Sequence, residues 1–139
     1  MLTRRDGSLS CNDLPGVTEC LGIPFAKPPT GPLRWKPPVD LLNLSPSPYD
    51  ARAFGPSCPQ SSGQLLNASY ISESCLTLNF WIPTHTKPRA TMVFIYGGGF
   101  SQGGTSTYNA SILAVQNNVA VGKFPAQIQI AIETRLGLE

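Results

Sequence analysis

The sequence predicts an incomplete α/β protein, built from β-strands and long ordered loops with few helices. Two runs rich in apolar, β-branched and aromatic residues, at 75–82 and 91–96, have the composition of buried strands. Residues 111–116 include good helix formers and predict a short helix. The chain has 14 Pro and 13 Gly among its 139 residues, which is typical of long ordered loops or of an incomplete domain.

The first part of the chain predicts one short strand followed by an extended segment. Residues 14–38 begin with apolar residues and become dense in proline, which fixes φ and supplies no ladder donor. We expect Phe25, Leu33 and Trp35 to anchor this segment against a core. The alternative, an exposed polyproline ligand for an SH3 or WW domain, is less favoured because it needs an exposed and disordered setting.

The remaining elements follow in order along the chain. Residues 41–63 are rich in Pro, Ser and Gly and predict a loop, and the strand at 75–82 is stopped by Pro83. A short polar turn separates this strand from the strand at 91–96, so we expect a hairpin or neighbouring strands. Residues 128–132 are the last strand candidate.

Three consecutive glycines end the strand at 91–96 and are the clearest functional signal. Gly97, Gly98 and Gly99 remove every side chain where the strand stops. Glycine permits positive φ and lets backbone N–H groups approach a ligand closely. This pattern suits a cradle for developing negative charge, as in the oxyanion hole of acyl transfer. The alternative is a glycine-rich turn without chemistry.

Length, charge and apolar pattern limit the possible functions. At 139 residues and 14.9 kDa the chain is one domain at most, with 41% hydrophobic and 13% charged residues. A net charge of +2 does not indicate nucleic acid or an acidic substrate as a partner. No apolar run is long enough to span a membrane, and no signal peptide is visible at the N-terminus.

The cysteines and glycosylation sequons favour an extracellular setting. None of the four cysteines has Cys-x-x-Cys spacing and His85 is the sole histidine, so we expect no metal site and no cofactor. An even cysteine count leaves disulfides open, including a pairing of Cys11 with Cys20. Disulfides and N-glycans both belong to secreted chains. The three Asn-x-Ser sequons stand at Asn43, Asn67 and Asn109.

Four segments together resemble the type-B carboxylesterase/cholinesterase family of the α/β-hydrolase superfamily. The resemblance extends from about Gly16 to about Gln116 and implies the N-terminal portion of an α/β-hydrolase fold. Residues 1–139 would then be a partial carboxylesterase type-B domain. Residues 122–127 match nothing in the family pattern, and we interpret them as an aberrant insert or splice-junction segment. The four segments are Leu21 to Trp35, Phe54-Gly-Pro-Ser-Cys-Pro-Gln60, Ser72-Glu-Ser-Cys-Leu-Thr-Leu-Asn79 and Tyr96-Gly-Gly-Gly-Phe100.

The resemblance assigns the oxyanion hole to Gly98 and Gly99. These residues match the family positions whose backbone N–H groups point at the substrate oxyanion. Loss of one such donor typically costs about 3 kcal/mol of transition-state stabilisation. The implied function is that of a carboxylic-ester hydrolase, a serine esterase or lipase acting on a small ester.

Two further pairs of residues match structural features of the family. Cys58 and Cys75 correspond to a disulfide that closes a surface loop. In cholinesterases this loop carries an aromatic residue for the choline cation, whereas here it contains only Tyr70, which does not favour choline. Arg34 and Glu73 correspond to an ion pair that holds the proline-rich segment to the core, a structural role.

The catalytic triad of the family is absent from the chain. A Gly-x-Ser-x-Gly nucleophile elbow does not occur, since Ser57 and Ser106 lie in other settings, and His85 lies in a polar turn. We therefore expect the chain alone to be inactive. The alternative is a non-catalytic, cholinesterase-like adhesion or binding protein, resembling neuroligins, and a small independent binding module is the least favoured reading. The oligomeric state stays open.

Overall fold

The computed structural model of the chain describes residues 3–4, 7–44, 46–60, 71–84, 90–99, 102–117 and 120–124. Within these ranges the chain is mostly strand, with one α-helix and single 3-10 turns at Gly31–Leu33 and Thr105–Thr107. In chain order the elements are β1 (Thr3–Arg4), β2 (Gly7–Ser10), β3 (Asn12–Leu14), β4 (Val17–Pro24), β5 (Tyr49–Asp50), β6 (Thr77–Pro83), β7 (Thr91–Ile95), α1 (Ser111–Asn117) and β8 (Ala120–Phe124).

The strands form two sheets. The larger sheet has the order β3-β4-β6-β8-β7, and the smaller has the order β1-β2-β5. In the larger sheet every pair is antiparallel except β7 with β8, which run parallel. The strands predicted at 75–82 and 91–96 are confirmed as β6 and β7, and the predicted short helix is confirmed as α1.

The expectation that β6 and β7 form a hairpin or lie side by side is wrong. Strand β8 lies between them, and its Gly122 stands opposite Phe80 of β6 and Val93 of β7. A parallel pair such as β7 and β8 needs a crossover connection, which here contains α1. The returning chain therefore occupies the position beside β6, although β7 is closer in sequence. The strand candidate at 128–132 lies outside the described residues.

A bulge in β4 opens the sheet at Leu21 and Gly22. The register with β6 shifts between Cys20 and Ile23, and Leu21 N–H donates instead to the carbonyl of Ala51 at 2.7 Å. Gly22 has a φ of 62°, and a Cβ there would lie 2.6 Å from the carbonyl oxygen of Ala53. Only glycine fits this close approach, so the bulge allows the segment around residues 51–55 to pack directly on β4.

The core is divided by β4 into two clusters, because that strand is buried on both faces. One cluster joins β4, β6 and β8 to α1 and its flanks, and the other joins β4 and β6 to the loop after residue 40 and to the smaller sheet. The first contains Val17, Leu21, Trp81, Ala110, Ala114 and Val121, and the second contains Cys20, Ile23, Leu44, Ala51 and Leu78.

Trp81 connects the core to a buried polar group. Its side chain is fully buried, and its Nε1–H donates to Glu19 Oε2 at 2.7 Å. Asn12 Nδ2 donates to the other carboxyl oxygen of Glu19 at 3.2 Å. Both carboxyl oxygens of a buried side chain therefore have partners, as burial of a polar group requires.

The proline-rich segment is anchored differently from the expectation. Phe25 packs against the second core cluster, whereas Trp35 is 91% exposed, so the prediction that Trp35 faces the core is wrong. Its backbone has a φ of 61°, and the Arg34 guanidinium carbon lies 5.4 Å from its ring centroid. The indole thus contacts its neighbouring cation rather than the protein interior.

Candidate functional site

The glycine turn lies at the carboxyl end of the parallel strand pair. Strand β7 ends at Ile95, which stands opposite Phe124 of β8, and Gly97–Gly99 follow after the buried Tyr96. Ligands of open α/β sheets bind outside the carboxyl ends of parallel strands. The fold therefore places the three glycines where a substrate site is expected.

The backbone of Gly98 has a conformation and a packing that require glycine. Its φ is 154°, and a Cβ at this position would overlap the carbonyl oxygen of Gln102. The Gln102 N–H donates back to the Gly98 carbonyl at 3.2 Å, so the two residues close a tight turn. Gly99 has a φ of 60°, in the left-handed region, whereas a Cβ at Gly97 would meet no atom within 4 Å. The requirement for glycine is thus strong at Gly98, where conformation and packing both demand it, and rests on φ alone at Gly99.

Gly103 continues the turn and packs on the ring of Tyr96. Its φ is 130°, and a Cβ there would lie 2.6 Å from Tyr96 Cε2. The tyrosine ring is buried beneath the turn and limits how far the backbone of Gly103 can move. The aromatic residue that ends the strand therefore supports the loop that follows it.

The side chain of Gln60 holds the same turn from the opposite segment. Gly103 N–H donates to Gln60 Oε1 at 2.7 Å, and Gln60 Nε2 donates to the Gly103 carbonyl at 2.9 Å. The same Nε2 donates to the Cys58 carbonyl at 3.0 Å. Sequence reasoning noted Gln60 only as the last residue of a motif, because no local pattern reveals a hydrogen bond across 43 positions.

Both cysteine pairs form disulfides. Cys58 and Cys75 are joined with Cα atoms 5.0 Å apart, and Cys11 and Cys20 are joined with Cα atoms 4.7 Å apart. The first is the pair that the family resemblance implies, and the second is the pairing that the sequence left open. The loop that Cys58 and Cys75 close includes Asn67 and Tyr70, which lie outside the described residues.

Arg34 and Glu73 form a salt bridge near the surface. Arg34 Nε lies 2.8 Å from Glu73 Oε1, and the two side chains are 57% and 38% exposed. At such exposure an ion pair contributes about 0–1 kcal/mol. The pair connects the proline-rich segment to the loop that precedes β6. Both residues are distant in sequence from the glycine turn.

Two of the three sequon asparagines are described, and both are exposed. Asn43 lies in the loop before β5, and Asn109 lies before α1, where its Oδ1 accepts a hydrogen bond from Ser111 N–H at 2.8 Å. This bond uses the oxygen of the amide and leaves the nitrogen, the atom that N-glycosylation modifies, outside the interaction.

Neither Ser57 nor Ser106 lies in the setting of a nucleophile elbow. Ser57 is buried beside the disulfide, and Ser106 is exposed within the second 3-10 turn, so neither follows a strand and begins a helix. His85 lies outside the described residues.

In the part of the chain that the structure describes, His, Cys, Asp and Glu do not gather into a group that could hold a metal ion. Across those ranges no helix has the length and hydropathy needed to cross a bilayer.

Among the described residues, the titrating groups with shifted pKa values lie in or just after β5 of the smaller sheet. Hydrogen bonds from Arg52 lower the pKa of Asp50, with two side-chain bonds of 2.8 Å, and Asp50 in turn raises the pKa of Arg52. Burial raises the pKa of Tyr49, with a further contribution from the Asp50 charge. These groups lie in and beside the smaller sheet, whereas the glycine turn follows β7 of the larger sheet.

The family model, the sequence relatives and the solved structures similar to this chain are all esterases. The model of the family described as "Carboxylesterase family" matches residues 5–124. Liver carboxylesterase B-1 of Rattus norvegicus is 37% identical over 144 residues, covering 90% of this chain and 24% of the relative. Cholinesterase of Mus musculus is 41% identical over 118 residues, covering 76% of this chain and 19% of the relative. A solved PNB esterase aligns with a TM-score of 0.80 at 35% identity, covering 88% of this chain and 27% of that one.

The alignments cover most of this chain but only a small part of each relative. A thermophilic PNB esterase gives a similar result, with a TM-score of 0.74 and 35% identity over 84% of this chain and 26% of that chain. The chain thus spans about a quarter of the length of these relatives. The matched part includes the glycine turn, both disulfides and β8.

Proposed function

The chain belongs to the carboxylesterase family, and from this we propose that it supplies the oxyanion-binding part of a carboxylic-ester hydrolase without the nucleophile. Its described residues form part of an α/β-hydrolase fold, as the sequence predicted. The observation that carries the proposal is the Gly98 turn, which needs glycine and follows the carboxyl end of a parallel strand. Ester hydrolysis by a longer protein that contains this chain is also part of the proposal.

In the proposed reaction the glycine N–H groups stabilise charge that appears only during acyl transfer. A serine oxygen from the rest of the catalytic domain forms a bond to the ester carbonyl carbon, and a histidine accepts the serine proton. The carbonyl π electrons move to oxygen, and Gly98 and Gly99 N–H donate to that oxyanion. Fixed backbone donors need no reorganisation during the step, and each contributes about 3 kcal/mol.

The proposal includes the setting of the protein. The two disulfides favour an oxidising compartment, and the sequons at Asn43, Asn67 and Asn109 fit a secreted glycoprotein. The partner is a small ester substrate, and neither nucleic acid nor a cofactor is required. Residues 122–124 continue β8, and residues 125–127 lie outside the described ranges. That 122–127 is an aberrant segment stays a prediction.

A chimera tests the proposal. Residues 5–124 replace the matched segment of the PNB esterase that aligns with a TM-score of 0.80, which supplies the nucleophile and the base. We expect the chimera to hydrolyse a p-nitrophenyl ester in a reaction abolished by replacing the host serine with Ala. The 139-residue chain alone should show only the uncatalysed rate.

The same assay separates the alternative functions. A folded chimera with native-like circular dichroism and no turnover would contradict the proposal and favour a non-catalytic, adhesion-type protein. Serine-dependent turnover by the 139-residue chain alone would contradict the assignment of the nucleophile to another part of the hydrolase.

A further inference from the structure

A single peptide group joins Gln60 to the predicted oxyanion donor. The peptide between Gln102 and Gly103 presents its carbonyl to Gly98, where a Cβ would overlap it. Its N–H points to Gln60 Oε1 at 2.7 Å. Because a trans peptide is planar, with N–H and C=O on opposite sides, holding the N–H also fixes the direction of the carbonyl. The hydrogen bond to Gln60 thus orients the Gln102 carbonyl, which packs against Gly98.

The amide of Gln60 uses its polar atoms in this contact. Nε2 donates to the carbonyl of Gly103 at 2.9 Å and to the carbonyl of Cys58 at 3.0 Å, while Oε1 accepts from Gly103 N–H. A primary amide has two N–H donors, and both are occupied here. The Cys58 carbonyl belongs to a residue fixed by its disulfide to Cys75, so the amide is itself held from a covalently constrained segment.

The turn is also held by contacts that do not involve Gln60. Tyr96 already packs on Gly103 from the other side, and Gln102 N–H already closes the turn on the Gly98 carbonyl. Gln60 adds a directional constraint to a turn that is closed without it. Catalytic donors lose effect steeply when they are misplaced, since a shift of about 1 Å can cost about 100-fold in rate.

We propose that Gln60 is a positioning residue for acyl transfer, holding the Gln102–Gly103 peptide so that the Gly98 and Gly99 N–H groups keep the geometry that the oxyanion needs. This proposal rests on the proposed function. It makes Gln60 act through the glycine turn, with no contact to substrate.

Two substitutions in the chimera remove the amide in different ways. Gln60→Met keeps the length of the side chain without its hydrogen bonds, and Gln60→Glu keeps the acceptor for Gly103 N–H but places a carboxylate against two carbonyl oxygens. Gln116→Glu is the matched control, since Gln116 is exposed on α1. We expect both Gln60 variants to lower kcat by about 10- to 100-fold with KM changed by less than about twofold, while the control keeps the parent values.

A transition-state analogue and the pH profile distinguish positioning from general support. A trifluoromethyl ketone forms a tetrahedral adduct with the serine, so its affinity should fall by the same factor as kcat. Protonated Glu can donate one hydrogen bond, and its pKa is raised beside carbonyl oxygens. The ratio of Gln60→Glu kcat to parent kcat should therefore rise as the pH falls from about 8 to about 6. A loss caused only by lower stability would leave the analogue affinity of the folded fraction unchanged.

The outcomes separate this proposal from the proposed function. If Gly98→Ala lowers kcat by about 100-fold or more while Gln60→Met and Gln60→Glu keep kcat within about twofold, the oxyanion assignment holds and the Gln60 proposal is overturned. If the parent chimera folds but has no turnover, the proposed function fails. Failure of both Gln60 variants to yield folded protein would assign Gln60 a purely structural role and would also overturn the proposal.

Discussion

The substitution Gly98→Ala tests the site most directly. An alanine here must adopt a φ of 154°, a region that is essentially restricted to glycine and costs on the order of 1–3 kcal/mol for other residues. Its Cβ would also overlap the Gln102 carbonyl oxygen. Carbon–oxygen contacts normally lie at about 3.3 Å or more, so one of the two backbones must move by roughly an ångström or more.

The expected effect follows from that movement. Displacing one donor by about 1 Å costs about 100-fold, and losing one oxyanion donor costs about 100- to 1,000-fold in kcat, or about 3–4 kcal/mol. We therefore expect Gly98→Ala in the chimera to lower kcat by about 100- to 1,000-fold with little change in KM, because the lost interaction is made only in the transition state. The measurement is steady-state hydrolysis of a p-nitrophenyl ester.

Two other glycines separate the contributions to this loss. Gly97→Ala adds a methyl group that meets no atom within 4 Å, so it should lower kcat at least tenfold less than Gly98→Ala does. Gly31→Ala tests positive φ alone, because Gly31 has a φ of 53°, an open surrounding and a place in the first 3-10 turn. It should reduce stability by about 1–2 kcal/mol without changing kcat. Equal losses of kcat for Gly97→Ala and Gly98→Ala would refute the geometric argument.

Three further predictions concern the scaffold and are measured in the same chimera. Trp81→Phe removes the hydrogen bond to buried Glu19 and should lower the free energy of unfolding in urea by about 2 kcal/mol, and a change within 0.5 kcal/mol would contradict the burial argument. Replacing both cysteines of the disulfide at Cys58 should cost about 3 kcal/mol, given its sequence separation of 17, and an unchanged urea midpoint would contradict this. Arg52→Ala should raise the pKa of Asp50 toward its ordinary value in an NMR titration, because Arg52 hydrogen bonds favour the carboxylate. Since the pKa of Asp50 is lowered in the folded state, its favourable interaction is present above the ordinary aspartate pKa and is lost as the pH falls. An Asp50 titration that does not move would show that the pair is absent in solution.

Strands β6 and β7 were predictable because their signals are local. The β-branched and aromatic runs give β6 and β7, and the prediction of a stop at Pro83 agrees with the end of β6 there. The glycine turn was predictable for the same reason, since three adjacent residues without side chains imply a backbone function or a tight turn. The family resemblance was needed to choose between those two.

The parts that could not be predicted depend on long-range pairing. The position of β8 between β6 and β7 is set by a crossover, which no hydrophobic pattern in β6 or β7 encodes. The contact of Gln60 with Gly103 joins segments 43 residues apart. Trp35 was expected to anchor the proline-rich segment against a core, yet its backbone is left-handed, its ring contacts the adjacent Arg34 and its side chain is exposed.

Exposed apolar side chains on β7 and α1 are the reason for making these measurements in a chimera with a host esterase. Val93 of β7 is 56% exposed and Ile112 of α1 is 68% exposed, and Leu113 and Val115 are also exposed. Strands in parallel pairs are normally covered on both faces, whereas β7 is an edge strand of the described sheet. The contacts between Gly98 and Gln102 lie within the described residues, whereas Val93 on the preceding strand β7 is exposed there. The Gln102 contacts that require glycine at position 98 are therefore made by this segment itself, and in the chimera the host esterase supplies the cover for β7 and α1.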